Sequence, residues 1–160
     1  MSATILSVDI HATSEEVFDL IHDYSRRLDW DSFLRTASLL NGARVADVGV
    51  SSRCVARLTV GGLGMDTVYA TFSRPTVAAV SMTRGPWFLR SFAASIRHDQ
   101  IEDGIVCVTY RYSFKVFPGF LAFLIEPAVQ WAFRRETLRR LAALKDFVER
   151  RNPTCESTTG

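Results

Sequence analysis

Two tyrosines, Tyr110 and Tyr112, stand two residues apart in a stretch, Val106–Val116, where apolar and polar residues alternate. That spacing puts both hydroxyls on one face of a strand. Val106, Val108, Phe114 and Val116 share the face, so it turns toward an interior, while Cys107, Thr109, Arg111, Ser113 and Lys115 take the other. A buried hydroxyl without a partner costs roughly 2–7 kcal/mol depending on the reference state, so each needs a hydrogen bond, a water or a ligand. Facing a cavity, the pair would bind a ligand carbonyl or give a proton to a developing enolate. Facing packed side chains, they are core tyrosines satisfied by backbone or buried water.

Arg90 is the most pointed charge. In an unbroken register Phe88, Arg90, Phe92, Ala94, Ile96 and His98 share the inward face of one long strand. A guanidinium there calls for a carboxylate, a wet cavity or an anionic ligand group, because it does not shed its proton. One bulge would turn it to water instead. Arg134 lies beside the apolar stripe of a C-terminal helix, near Trp131 and one turn before Leu138. It reaches a cavity carboxylate, or its stem covers the groove while its head snorkels outward, as for Lys145. Glu126 sits ahead of Pro127 at the apparent helix start, where the helix dipole stabilises it. Trp30, Phe92, Phe123 and Trp131 are the aromatics expected at the cavity or its mouth.

Metal and nucleotide chemistry find no support. His11, His22 and His98 are far apart and match no zinc spacing, and the three cysteines (Cys54, Cys107, Cys155) form no motif. Gly61-Gly62-Leu63-Gly64 reads as a hairpin turn rather than a phosphate loop, and no Ser or Cys nucleophile motif occurs. The expectation is no metal and no cofactor. His98 is either a general base or a satisfied core histidine.

The elements that position these residues follow in a simple order. Ala3 to His11 alternates as a strand. Thr13-Ser14-Glu15-Glu16 is a capping box opening a first helix, with Val17, Phe18, Leu20 and Ile21 as its stripe. A second short piece runs from Asp23 to Trp30. Strands are expected at Leu34–Asn41, Val50–Val60, Met65–Ser73, Val77–Thr83, Trp87–Ile101 and Ile105–Phe117, separated by turn residues. Short connections make them an antiparallel meander. After Pro118-Gly119 an apolar run leads into helical spacing from Pro127 to about Arg151, with Trp131, Leu138, Leu141, Ala142 and Val148 on one side. Residues 1–151 are expected as one α+β domain and 152–160 as a disordered tail. A run of strands followed by a single amphipathic helix favours a curved sheet wrapped around that helix.

Composition limits the partners. A formal net charge of +2 is too small to argue for nucleic acid, and the outer face of the last helix, to which Arg135, Arg139, Arg140 and Arg150 largely point, also carries Glu136, Asp146 and Glu149. Polar residues interrupt every apolar run before membrane-spanning length, and no secretory leader is seen, so a cytoplasmic protein with reduced thiols is expected. Phe117–Phe123 is the one greasy stretch beside the expected cavity. Ordinary burial explains it first; a gate, a membrane contact or a homodimer contact are the alternatives.

The chain resembles the START-like superfamily of polyketide cyclase/dehydrase and lipid-transport proteins, related to the Bet v 1 allergens. Ile10-His11-Ala12-Thr13-Ser14-Glu15-Glu16-Val17-Phe18-Asp19, Trp30 and the run from Phe133 through Lys145 carry the likeness. The resemblance implies a helix-grip fold, with a curved antiparallel sheet around a long C-terminal helix and two short N-terminal helices. It also implies a hydrophobic small-molecule ligand of lipid or polyketide type in an internal cavity. Trp30, Arg90, Phe92, Tyr110, Tyr112, Phe123, Trp131 and Arg134 would contact it. Metal-independent ring closure and dehydration of a polyketide, or docking on a membrane or protein, are the alternatives.

Overall fold

The computed structural model describes residues 3–152, so Cys155 and all of the expected tail except Asn152 lie outside the described residues. In chain order the elements are β1 (Thr4–Ile10), α1 (Ser14–His22), α2 (Arg27–Trp30), β2 (Leu34–Leu39), β3 (Ser51–Ala56), β4 (Gly64–Ser73), β5 (Val77–Arg84), β6 (Leu89–Glu102), β7 (Ile105–Val116) and α3 (Ala122–Arg151). The strands form one antiparallel sheet in the order β1-β7-β6-β5-β4-β3-β2, curled around α3. The fold is the helix grip.

Local chemistry accounts for the best-defined boundaries. At the start of α1, Glu16 N donates to Thr13 Oγ1 at 3.3 Å while Thr13 N donates to Glu16 Oε2 at 3.2 Å. Two backbone donors that a helix start leaves open are thereby satisfied. β6 and β7 are joined at Asp103-Gly104, where Gly104 has φ 77°, a conformation that a Cβ would strain. Tyr110 and Tyr112 share the inward face of β7 with Val106 and Val108, paired across to Leu6, Thr4, Ile10 and Val8 of β1. Ile10, Val17, Ile21, Val106, Val108, Leu144 and Val148 form the buried centre of the core.

Two expected registers differ. The β6–β7 ladder shifts between Leu89 and Ser91, leaving Arg90 as an extra residue without a partner on β7. Arg90 is exposed, whereas Phe92, Ala94 and His98 farther along are buried as expected. The second difference is on α3. It starts at Ala122, five residues before Pro127, and its inward line runs through Phe133, Thr137, Leu141, Leu144 and Val148. Trp131 lies two residues from Phe133, about 200° around the axis, and faces out at 62% exposure. Leu138 and Ala142 also face away from the buried line.

Candidate functional site

The curled sheet and α3 do not close on one another completely. Between them lies a hollow of about 460 Å³, inside the usual span of small-molecule pockets, roughly 300–1,000 Å³. Strand alternation supplies one wall from every second residue of β5 and β6, and α3 supplies the other from its inward line. Val80, Phe92, Ala94 and Ile96 line it from the sheet, and Phe133 and Leu144 from α3. The Phe92 and Phe133 rings stack at 5.6 Å between centroids, an offset aromatic contact. Pro86, Phe88, Val60 and Leu63, all half-exposed or exposed, form a rim.

The opposite corner is polar. Asp31, fully buried just after α2, accepts from Arg27 Nε at 3.1 Å and from Arg140 Nε and Nη2 at 3.1 and 2.7 Å. Arg27 Nη1 also donates to the Ile21 carbonyl at 2.8 Å. The guanidinium of Arg27 lies 4.8 Å from the Trp30 ring, and that of Arg140 lies 5.3 Å from Phe33. Such faces are favourable seats for a poorly hydrated cation. Burial alone would raise Asp31, but the charges of Arg140 and Arg27 outweigh it and hold the carboxyl below its usual range. The corner therefore keeps an ionised carboxylate between two ionised guanidiniums.

Neutral polar groups complete it. Tyr110 lines the hollow within electrostatic reach of both guanidiniums, and burial raises its phenol, so the proton stays on. Burial likewise raises the Cys54 thiol, against the pull of Arg27 and Arg140. Ser52 and Thr67 pair hydroxyl to hydroxyl at 3.0 Å. On the neighbouring side His22 Nδ1 meets the Tyr69 hydroxyl at 2.9 Å, and Tyr24 reaches the same hydroxyl at 3.2 Å. Burial and the nearby Arg27 charge lower His22 to about 3, which makes it a neutral ring at ordinary pH.

Of the residues singled out from the sequence, Trp30, Phe92 and Tyr110 come together around the hollow. Tyr112 is buried in packed aromatics, near Phe92, Phe114 and Phe133, and Gln130 Nε2 donates to its hydroxyl at 3.4 Å. That is the core-tyrosine arrangement. Arg90, Arg134, Trp131 and Phe123 do not meet the others. Arg90 is turned out by the bulge, and Arg134 and Trp131 occupy the solvent side of α3. Phe123 is 74% exposed in the first turn of the same helix. Its neighbours Phe117 and Phe120 are also exposed, which corrects the expectation of ordinary burial for that stretch. Lys145 does not snorkel into water; its Nζ ties α3 to the Asp9 carbonyl and to Glu149 Oε1, each at 2.7 Å. His98 is buried against Phe18, away from the hollow, with neither ring nitrogen hydrogen-bonded among the described residues. It is a core histidine, but not a satisfied one.

The sequence reading missed the Arg27–Asp31–Arg140 cluster. Arg27 and Asp31 carry the i, i+4 spacing of a helical ion pair, which was a usable signal. Arg140 was placed on the outer face because the helix stripe had been anchored on Trp131. Seven residues on from Phe133 and four before Leu144, it belongs to the inward line. Among the described residues no group of His, Cys, Asp or Glu is placed to hold a metal ion, and no helix is long and apolar enough to cross a membrane.

Comparison with known proteins agrees with this geometry. The sequence model described as polyketide cyclase/dehydrase and lipid transport matches residues 4–149. Among solved structures, the Zhui aromatase/cyclase from Streptomyces sp. R1128 superposes with a TM-score of 0.77 at 11% identity, over 98% of this chain and 99% of that one. A START superfamily protein from Mycobacterium smegmatis gives 0.72 at 16% identity, over 92% and 97%. Ginseng major latex-like protein 151 from Panax ginseng gives 0.71 at 11%, again over 92% and 97%. Identities this low establish the shared fold and nothing finer. No curated protein matches the chain.

Proposed function

Because the chain belongs to the polyketide cyclase/dehydrase and lipid transport family, we propose that it binds a hydrophobic or aromatic small molecule of lipid or polyketide type between sheet and α3. The observation that carries this reading is the hollow itself. Its walls are aliphatic and aromatic over most of their extent, and its polar groups are gathered in one corner. An apolar guest gains by leaving water for such walls, at about 25 cal/mol per Å² of apolar surface buried. The polar corner then fixes which end of the guest goes in first. Phe92, Phe133 and Ile96 supply apolar contact, Trp30 backs the corner, and Tyr110 offers a hydroxyl with no partner among the described residues.

Native mass spectrometry of freshly purified protein, followed by extraction, is expected to show one apolar compound per chain. Stripped of it, the protein should take up neutral probes such as 2-naphthamide or dodecanamide one to one. Stripped protein that takes up neither these amides nor the corresponding acids, 2-naphthoate and dodecanoate, would overturn the proposal.

One observation favours a second reading, metal-independent cyclisation of a polyketide. Tyr110 keeps its proton beside two guanidiniums, an arrangement able to stabilise negative charge developing on an enolate oxygen. Incubation with a poly-β-ketone analogue discriminates: a rate above background supports catalysis, and an unchanged rate leaves a carrier.

A further inference from the structure

The charges in the polar corner do not cancel. Arg27 and Arg140 both line the hollow, and the one carboxylate they share is Asp31. Beside the Tyr24 hydroxyl, the remaining titratable groups facing them are Tyr110, Tyr69, Cys54 and His22, and none of these four carries charge at neutral pH. Glu136, one turn before Arg140 on α3, also borders the hollow, but it accepts from Arg139 at 3.2 Å and makes no ion pair with Arg140. The corner thus holds one positive charge more than its protein partners neutralise.

The donors match that excess. Arg140 spends Nε and Nη2 on Asp31, and Arg27 spends Nε on Asp31 and Nη1 on Ile21. Among the described residues nothing accepts from Arg140 Nη1, Arg27 Nη2 or the Tyr110 hydroxyl. The side chains of Arg140 and Arg27 keep 23% and 13% exposure, and the hollow is what they border. A poorly solvated excess cation is expensive unless an anion or several waters answer it. A ligand that brings its own anion answers it while burying its apolar body against Phe92 and Phe133.

We propose that Arg27 and Arg140, with the Tyr110 hydroxyl, form a subsite for a monoanionic carboxylate at one end of the hydrophobic ligand. This rests on the cavity-binding reading above and names the ligand class within it: an amphipathic acid rather than a neutral lipid. A carboxylate suits donors left over on three lining side chains and a single excess charge, since its two oxygens accept several hydrogen bonds. A dianionic phosphate ester would overshoot that charge. Asp31 serves as a positioning residue, holding both guanidiniums at the corner.

The test compares isosteric pairs by calorimetry at pH 7: 2-naphthoate against 2-naphthamide, and dodecanoate against dodecanamide. The acids are expected to bind about ten- to a hundredfold tighter than their amides. In Arg140→Met, which leaves Arg27 and Asp31 as a one-to-one pair, that preference should fall to near one. Acetate and chloride should bind far more weakly than either acid, since they bring no apolar body. Acid and amide binding equally to the wild type would overturn the carboxylate subsite and leave the cavity reading intact. No binding of any of the four would defeat both. Acetate binding as tightly as dodecanoate would make the corner a simple ion site and overturn the proposal. Should Arg140→Met fail to fold, the acid–amide comparison on the wild type decides alone.

Discussion

The two ends of the hollow are built by opposite means. At the α2 end, a fully buried Asp31 is held by two guanidiniums through charged hydrogen bonds. At the β6 end, Phe92 and Phe133 stack ring on ring and meet by shape and area alone. Removing a partner from the first end strands a charge, whereas trimming the second mainly enlarges a space. The polar end should therefore govern stability and ligand orientation, and the apolar end should govern affinity for the ligand's body.

The sharpest way to break this contrast is at its charged centre. Asp31→Ala leaves Arg27 and Arg140 buried against each other, which should cost about 3–5 kcal/mol of folding stability. A urea midpoint unchanged from wild type would show that the corner is held by packing instead.

Histidines sharpen the contrast through pH. His22 borders the polar corner and His98 lies in apolar packing, yet burial lowers both, to about 3 and about 4 from an ordinary 6.5. Between pH 6.5 and the folded values the unfolded chain binds protons that the fold excludes, so stability falls as pH drops through that window. Above it these histidines have no effect. Each contributes a slope of about 1.4 kcal/mol per pH unit, or about 2 kcal/mol each between pH 7 and pH 5. His98→Leu should halve the loss measured by urea denaturation at the two pH values, and an unchanged pH dependence would mean that His98 takes up its proton equally well in the folded and unfolded chain.

The smallest effect should come from arginines outside. Arg90→Ser and Arg134→Ser should shift stability by no more than about 0.5 kcal/mol and leave the acid–amide preference untouched. A loss of preference in either variant would restore the inward placement read from the sequence.

The legibility of these regions follows from how local their signals are. The α1 capping box and the Tyr110–Tyr112 face of β7 are written in neighbouring residues, and both appear in the structure. The bulge at Arg90 is a single-residue slip that strand alternation does not announce. The face of α3 was ambiguous because large apolar residues stand on both sides of it, Phe133 and Leu144 inside, Phe123, Trp131 and Leu138 outside. Choosing Trp131 as the anchor sent Arg140 to the wrong face. Asp31 and Arg140 are 109 residues apart, and only the closing of α3 over the sheet brings them together.

A crystal structure of the 2-naphthoate complex tests the central claim most directly. The account predicts the ring system against Phe92 and Phe133, inside the hollow and in contact with both sheet and α3. Side chains closed up across that space, with the ligand on the outer surface or absent, would contradict it.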